Sequence, residues 1–260
     1  MRLKLLGQTP SIPSPGLELL TYLCAREEAL REEVRSVVPL GAALQALHGT
    51  TWSEGVAARG ESFAWTGESD LGSLRRALGE RRWLEAWALY GALLPGFRSG
   101  LEAFQSWLEA QRAWLRSAMH VLSLALPVEE VLRLSEEELR APADQERALM
   151  ALLMQGQALL REGRGKEAVL VLGQALGVQE FGRGEFSGLS LALLAEAHWL
   201  WGKGPKARQT AEKALQRCAD AYSQARAYRA WHQITGDAGA LEQARRLAEG
   251  LGIADLLSLG

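Results

Sequence analysis

LMALLMQGQALLREGRGKEAVLVLGQALGVQE, residues 149–180, sets small side chains where two helices must cross closely. Gly156 lets the helices approach, and Leu159 fills the space beside it. Gly163 ends the first helix, because a residue without a Cβ takes the left-handed cap at no steric cost. Ala168, Leu172 and Ala175 then recur one turn apart on the inward face of a second helix. The stretch therefore predicts a pair of antiparallel helices.

The same offsets return downstream. Ala195, His198, Gly202, Ala207, Ala211 and Ala214 occupy the equivalent positions of a second pair. A third, weaker pair spans 221–250, with Gly236 and Asp237 at its turn and Ala244 and Ala248 on its second helix. These offsets match the tetratricopeptide (TPR) pattern. The step from Ala168 to Ala207 is 39 residues, against about 34 for a standard repeat. The excess falls in 181–188, where Gly182, Gly184 and Gly188 mark a longer loop. The apolar stretch 251–259 is expected to cap the array. One helical hairpin cannot bury both apolar faces alone, so repetition is the physical solution.

Upstream, residues 74–97 read LRRALGERRWLEAWALYGALLPGF and 98–126 read RSGLEAFQSWLEAQRAWLRSAMHVLSLAL. Gly79, Trp83, Ala86, Tyr90 and Leu93 follow a similar turn-and-helix pattern. The run Leu93-Leu94-Pro95-Gly96-Phe97 precedes Trp107 and Arg112 in one long helical segment. This stretch resembles the bacterial transcriptional activator domain (BTAD), whose pattern is a leucine–leucine–proline–glycine–phenylalanine loop, then a tryptophan and an arginine. The resemblance implies a transcription-regulatory protein whose helical array contacts the transcription machinery or a second subunit. It also implies an OmpR-like winged helix ahead of the array.

Residues 1–70 carry that order in outline: a strand over 2–6, helices over 17–26 and 27–38, a short helix over 41–48 and a β-hairpin over 52–65. The expected boundary lies at 67–71. The expected fold is mainly α: a degenerate winged-helix-like α+β domain (1–70), then a TPR-like helical-hairpin superhelix (71–260).

Charge tests the DNA inference. Residues 1–70 hold six basic and nine acidic side chains, a net −3. DNA recognition needs cations on phosphates and polar groups on base edges. The candidate third helix has no Lys or Arg. Gln45, His48, Thr50, Thr51 and Arg59 are the DNA-facing candidates, and a homodimer would be needed to supply enough cations. Partner-binding candidates are the cluster Arg75, Arg76, Arg81 and Arg82, and the pair Trp199 and Trp201, where residues two apart leave a helix in different directions. The competing reading is a TPR adaptor that holds a peptide or protein.

Other classes find little support. Hydrophobic residues make up 48% and charged residues 23%, so a folded core is expected rather than disorder. The net charge of −2 draws the whole chain to neither nucleic acid nor membrane. No apolar run approaches a membrane span, and Cys24 and Cys218 form no metal or disulfide spacing. Cytoplasmic localisation, no cofactor and no membrane partner are the expectations. Gly163-Arg164-Gly165-Lys166 imitates a nucleotide fingerprint but follows a helix, not the strand that motif requires. The chain reads as non-enzymatic.

Overall fold

The computed structural model describes residues 2–180, 187–218 and 220–251. The protein is mainly helical, with small sheets near the N-terminus. It divides into two compact units, Met1–Leu115 and Arg116–Gly260.

The first unit opens with β1 (Arg2–Leu3) and α1 (Ser14–Arg26). Pro15 lies in the first turn of α1, where its missing N–H leaves no bond unmade. Glu27 (φ 63°) ends the helix, and its N–H bonds Leu23 O. A helix was expected over 27–38, but its first part is a strand, β2 (Glu28–Leu30), and only Arg31–Val37 is helical (α2). The left-handed turn at Glu27 and burial of Ala29 opposite Phe63 decide this. Next come α3 (Leu40–Leu47), a 3-10 turn (Thr51–Gly55) and the hairpin β3 (Val56–Arg59) and β4 (Ser62–Trp65). The antiparallel sheet has the order β2-β4-β3.

The expected boundary at 67–71 lies inside this unit. β5 (Glu68–Ser69) pairs in parallel with β1, and α4 (Asp70–Gly79) starts at once, with Ser69 Oγ accepting from Gly72 N–H at 3.0 Å. Buried Asp70 is an anchor. Its Oδ1 accepts from Leu5 N–H and Leu71 N–H, both at 2.8 Å, and its Oδ2 from Leu6 N–H at 3.1 Å. α5 (Trp83–Leu89) follows, and α6 (Glu102–Ala125) contains the division between the units.

The Leu93–Phe97 run folds back beneath α6. Arg112 donates from Nε to Leu93 O (3.0 Å) and from Nη2 to Leu94 O (2.7 Å) and Phe97 O (3.3 Å). Leu94 is held at φ 46°. The guanidinium thus supplies donors to three carbonyls of a turning backbone, of which Leu94 O also accepts from Phe97 N–H at 3.1 Å.

In the second unit α7 (Val128–Arg140) packs on α8 (Gln145–Arg161). Then α9 (Gly165–Glu180), α10 (Ser187–Leu200), α11 (Gly204–Arg217), α12 (Ala221–Thr235) and α13 (Ala238–Gly250) each pack on the helix before. The two- or three-residue links between α8 and α9, α10 and α11, and α12 and α13 make each of these pairs antiparallel. The small residues sit where they were expected. A Cβ on Gly156 would come within 2.5 Å of Leu172, and Ala168, Ala175, Ala195, Ala207, Ala211 and Ala214 have no exposed surface. His198, at a large-residue position, is 1% exposed. Most of the expected long loop (181–188) and cap (251–259) lies outside the described residues.

One turn recurs in both units. Arg164 N–H bonds Leu159 O (2.9 Å) across Gly163 (φ 73°), and Lys203 N–H bonds His198 O (2.8 Å) across Gly202 (φ 74°). Arg82 N–H likewise bonds Ala77 O (2.8 Å), but Arg81 (φ 57°) holds the left-handed position. A side chain there costs about 1 kcal/mol. Arg81→Gly is expected to raise stability by up to about that amount, measured by urea unfolding. A loss would show that the arginine side chain itself holds the turn.

Candidate functional site

The DNA-facing candidates lie along the end of α3 and the hairpin. Gln45, His48 and Thr51 are exposed, and the other exposed residues of α3 are Gly41, Ala42 and Leu44. Thr50 Oγ1 donates to Leu47 O (2.6 Å), which ties it to the helix end. Arg59 lies 3.8 Å from Glu28, with both side chains more than half exposed. The surface offers polar groups but hardly any cations.

The four clustered arginines part ways. Arg75 lies 4.3 Å over the Trp114 ring and donates to Gln111 (3.0 Å). Burial lowers its pKa from the usual value. Arg82 pairs with Glu80 (2.7 Å) and Glu85. Arg81 is the strained turn residue. Arg76 joins Arg26 and Arg59 around a cleft of about 850 Å³ bounded by the end of α1, the β3–β4 hairpin and the start of α4. The structure thus brings Arg59 and Arg76 together. Glu27, Glu28 and Glu68 line the same cleft and balance its charge. Its thiol, Cys24, is pushed up to about 12, chiefly by burial, so it is no nucleophile at neutral pH.

Trp199 and Trp201 are both exposed, at 42% and 40%, with Leu200 between them at 48%. They sit at the end of α10 and in the turn to α11. His198 stacks on Trp201 at 6.5 Å between ring centres, and Lys203 Nζ lies 5.0 Å over the same ring. The neighbouring turn comes very close. A Cβ on Gly165 would lie 2.7 Å from Leu200 Cβ and 2.8 Å from Trp201 N. Two turns therefore form one tip, with an apolar centre and Lys166, Lys203 and Lys206 exposed around it.

Inside the same unit lies a polar cluster that sequence reasoning missed. Glu196 Oε2 accepts from Arg226 (2.9 Å) and Arg229 (3.2 Å), and Glu196 and Arg226 are almost fully buried. His120 stacks on Tyr222 at 5.6 Å, both buried, and Gln157 Nε2 donates to His120 O (3.5 Å). Burial first, then the charges of Arg226 and Arg116, lower the His120 pKa to about 3, so its ring is neutral. α6, α8, α10 and α12 each contribute. One signal was available: Glu196 is the only charged residue other than a histidine in the 187–200 helix.

Among the described residues, no helix is long and apolar enough to cross a membrane. No protein-family description, curated protein or solved structure matches this chain.

Proposed function

We propose that this chain is a non-enzymatic, cytoplasmic regulatory protein of the BTAD type, which acts by holding another macromolecule. The observation that carries the reading is an ordered set of elements. The order α1–β2–α2–α3–β3–β4, with strand order β2-β4-β3, supports reading the first unit as a winged helix. It is followed by the Leu93–Phe97 loop clasped by Arg112, and then by antiparallel hairpins with small residues at TPR-like crossings. In this reading the array is a TPR-like superhelix and serves as the binding arm, toward the transcription machinery or a second subunit.

The cation-poor α3 favours a role in which the first unit is a winged helix with a weakened DNA surface, so that the chain's main contact is with protein. That is also where an adaptor reading would begin, and exposed Trp199 and Trp201 support it. A fluorescence-anisotropy titration of the intact chain with labelled genomic fragments separates the two surfaces. The expected result is weak binding whose salt slope corresponds to about two phosphate contacts or fewer. A slope of about six or more would put α3 and the hairpin directly on DNA. A pull-down from the protein's own cells should recover a stoichiometric protein partner; recovery of no macromolecule would remove the binding role.

A further inference from the structure

We infer that the tip formed by the α8–α9 and α10–α11 turns is a docking site for an acidic protein segment that carries apolar side chains. The inference rests on the array being the binding arm, and it adds the chemistry of the partner. Three consecutive large apolar residues, Trp199, Leu200 and Trp201, stand exposed on a rigid turn rather than a loose loop. Lys203 N–H bonds His198 O, Gly202 N–H bonds Trp199 O, and Gly165 admits the neighbouring turn, which fixes the backbone that carries the rings, and the Trp201 ring stacks on buried His198. Preorganised aromatic anchors of this kind carry most of the energy in protein interfaces.

Charge names the partner. Glu162 and Glu167 are both engaged by Arg164, and Glu212 faces Arg208 at 3.6 Å. Among the described residues, Lys166, Lys203 and Lys206 have no carboxylate in salt-bridge reach. The tip is therefore an apolar centre inside three lysines, and since the single charge of Arg164 meets two carboxylates, its net charge is about +2. An acidic segment gains from these charges in approach rate and selectivity, while its apolar side chains meet the tryptophans. A lipid surface fits less well, because recognition of anionic lipid takes about four to eight clustered basic residues.

The test is a random peptide library panned at low salt against the intact chain. The enriched peptides are then measured by anisotropy against wild type, Trp199→Ala/Trp201→Ala and Lys203→Glu/Lys206→Glu. The expected winners carry excess Asp and Glu with Leu, Phe or Trp, and each double variant weakens them about tenfold or more. Both variants change exposed side chains, and unchanged circular-dichroism melting shows that they fold. Neutral or basic winners, or acidic winners that bind both variants as tightly as wild type, overturn the acidic-partner inference but leave the array as a binding arm. If no peptide of any charge is enriched, both fall. Retention on phosphatidylserine vesicles that both variants abolish would replace the peptide with a lipid surface.

Discussion

Glu196→Ala is expected to lower the unfolding free energy by about 3–5 kcal/mol, the cost of leaving a buried cation without its partner. Arg226 is 2% exposed and cannot turn to water, and its Nη2 reaches Glu196 at 2.9 Å. Arg229 is better placed to escape, since about a fifth of its side chain is exposed. Urea unfolding followed by circular dichroism reads the loss. A paired replacement, Glu196→Leu with Arg226→Met, separates the mechanism from simple loss of packing. It removes both charges and should recover most of the stability, because a well-packed apolar pair often equals a buried ion pair. If the single and paired variants are equally unstable, the cluster stabilises by shape and not by charge.

Asp70→Ala should cost about 3 kcal/mol or more. One carboxylate accepts from the N–H groups of Leu5, Leu6 and Leu71, and Leu5 is fully buried. Removing it strands the Leu5 and Leu6 donors away from water, each at about 1–3 kcal/mol. Asp70→Asn keeps one acceptor oxygen and should lose less. Hydrogen exchange gives a local reading: the amides of Leu5 and Leu6 should lose protection in the alanine variant before those of α10 and α11. A loss below about 0.5 kcal/mol would mean that the first strand is held by its apolar side chains alone.

The helical array was legible because its signal is local and repeated. Ala168 and Ala207 follow Gly163 and Gly202 at the same distance, and a small residue at a helix crossing has few substitutes. Asp70 was not legible in that way. An acidic residue near Gly67 reads as a linker, and nothing local shows that its partners lie at Leu5 and Leu6. β2 was hidden for a related reason. Glu28-Ala29-Leu30 favours a helix by composition, and pairing with Ser62, Phe63 and Ala64 makes it a strand. Of the proposed site residues, Arg75 and Arg82 read as one surface cluster, yet Arg75 is half-buried over Trp114 while Arg82 stays exposed in a local pair with Glu85. The polar cluster escaped because His120, Gln157, Glu196 and Arg226 meet only after helices 30 to 40 residues apart have stacked.

The opening segment of the chain has its partners far downstream. Arg2 and Leu3 pair with Glu68 and Ser69, Leu6 bridges Leu93, and Thr9 donates to Pro95 O. During synthesis, then, this segment cannot complete its pairing until Pro95 has also emerged. Chains grow at about 5–20 residues per second, so that exposed apolar strand waits for several seconds. The interval is a window for a chaperone or for misassociation, and it closes only when Leu93 and Leu94 arrive to complete the fold.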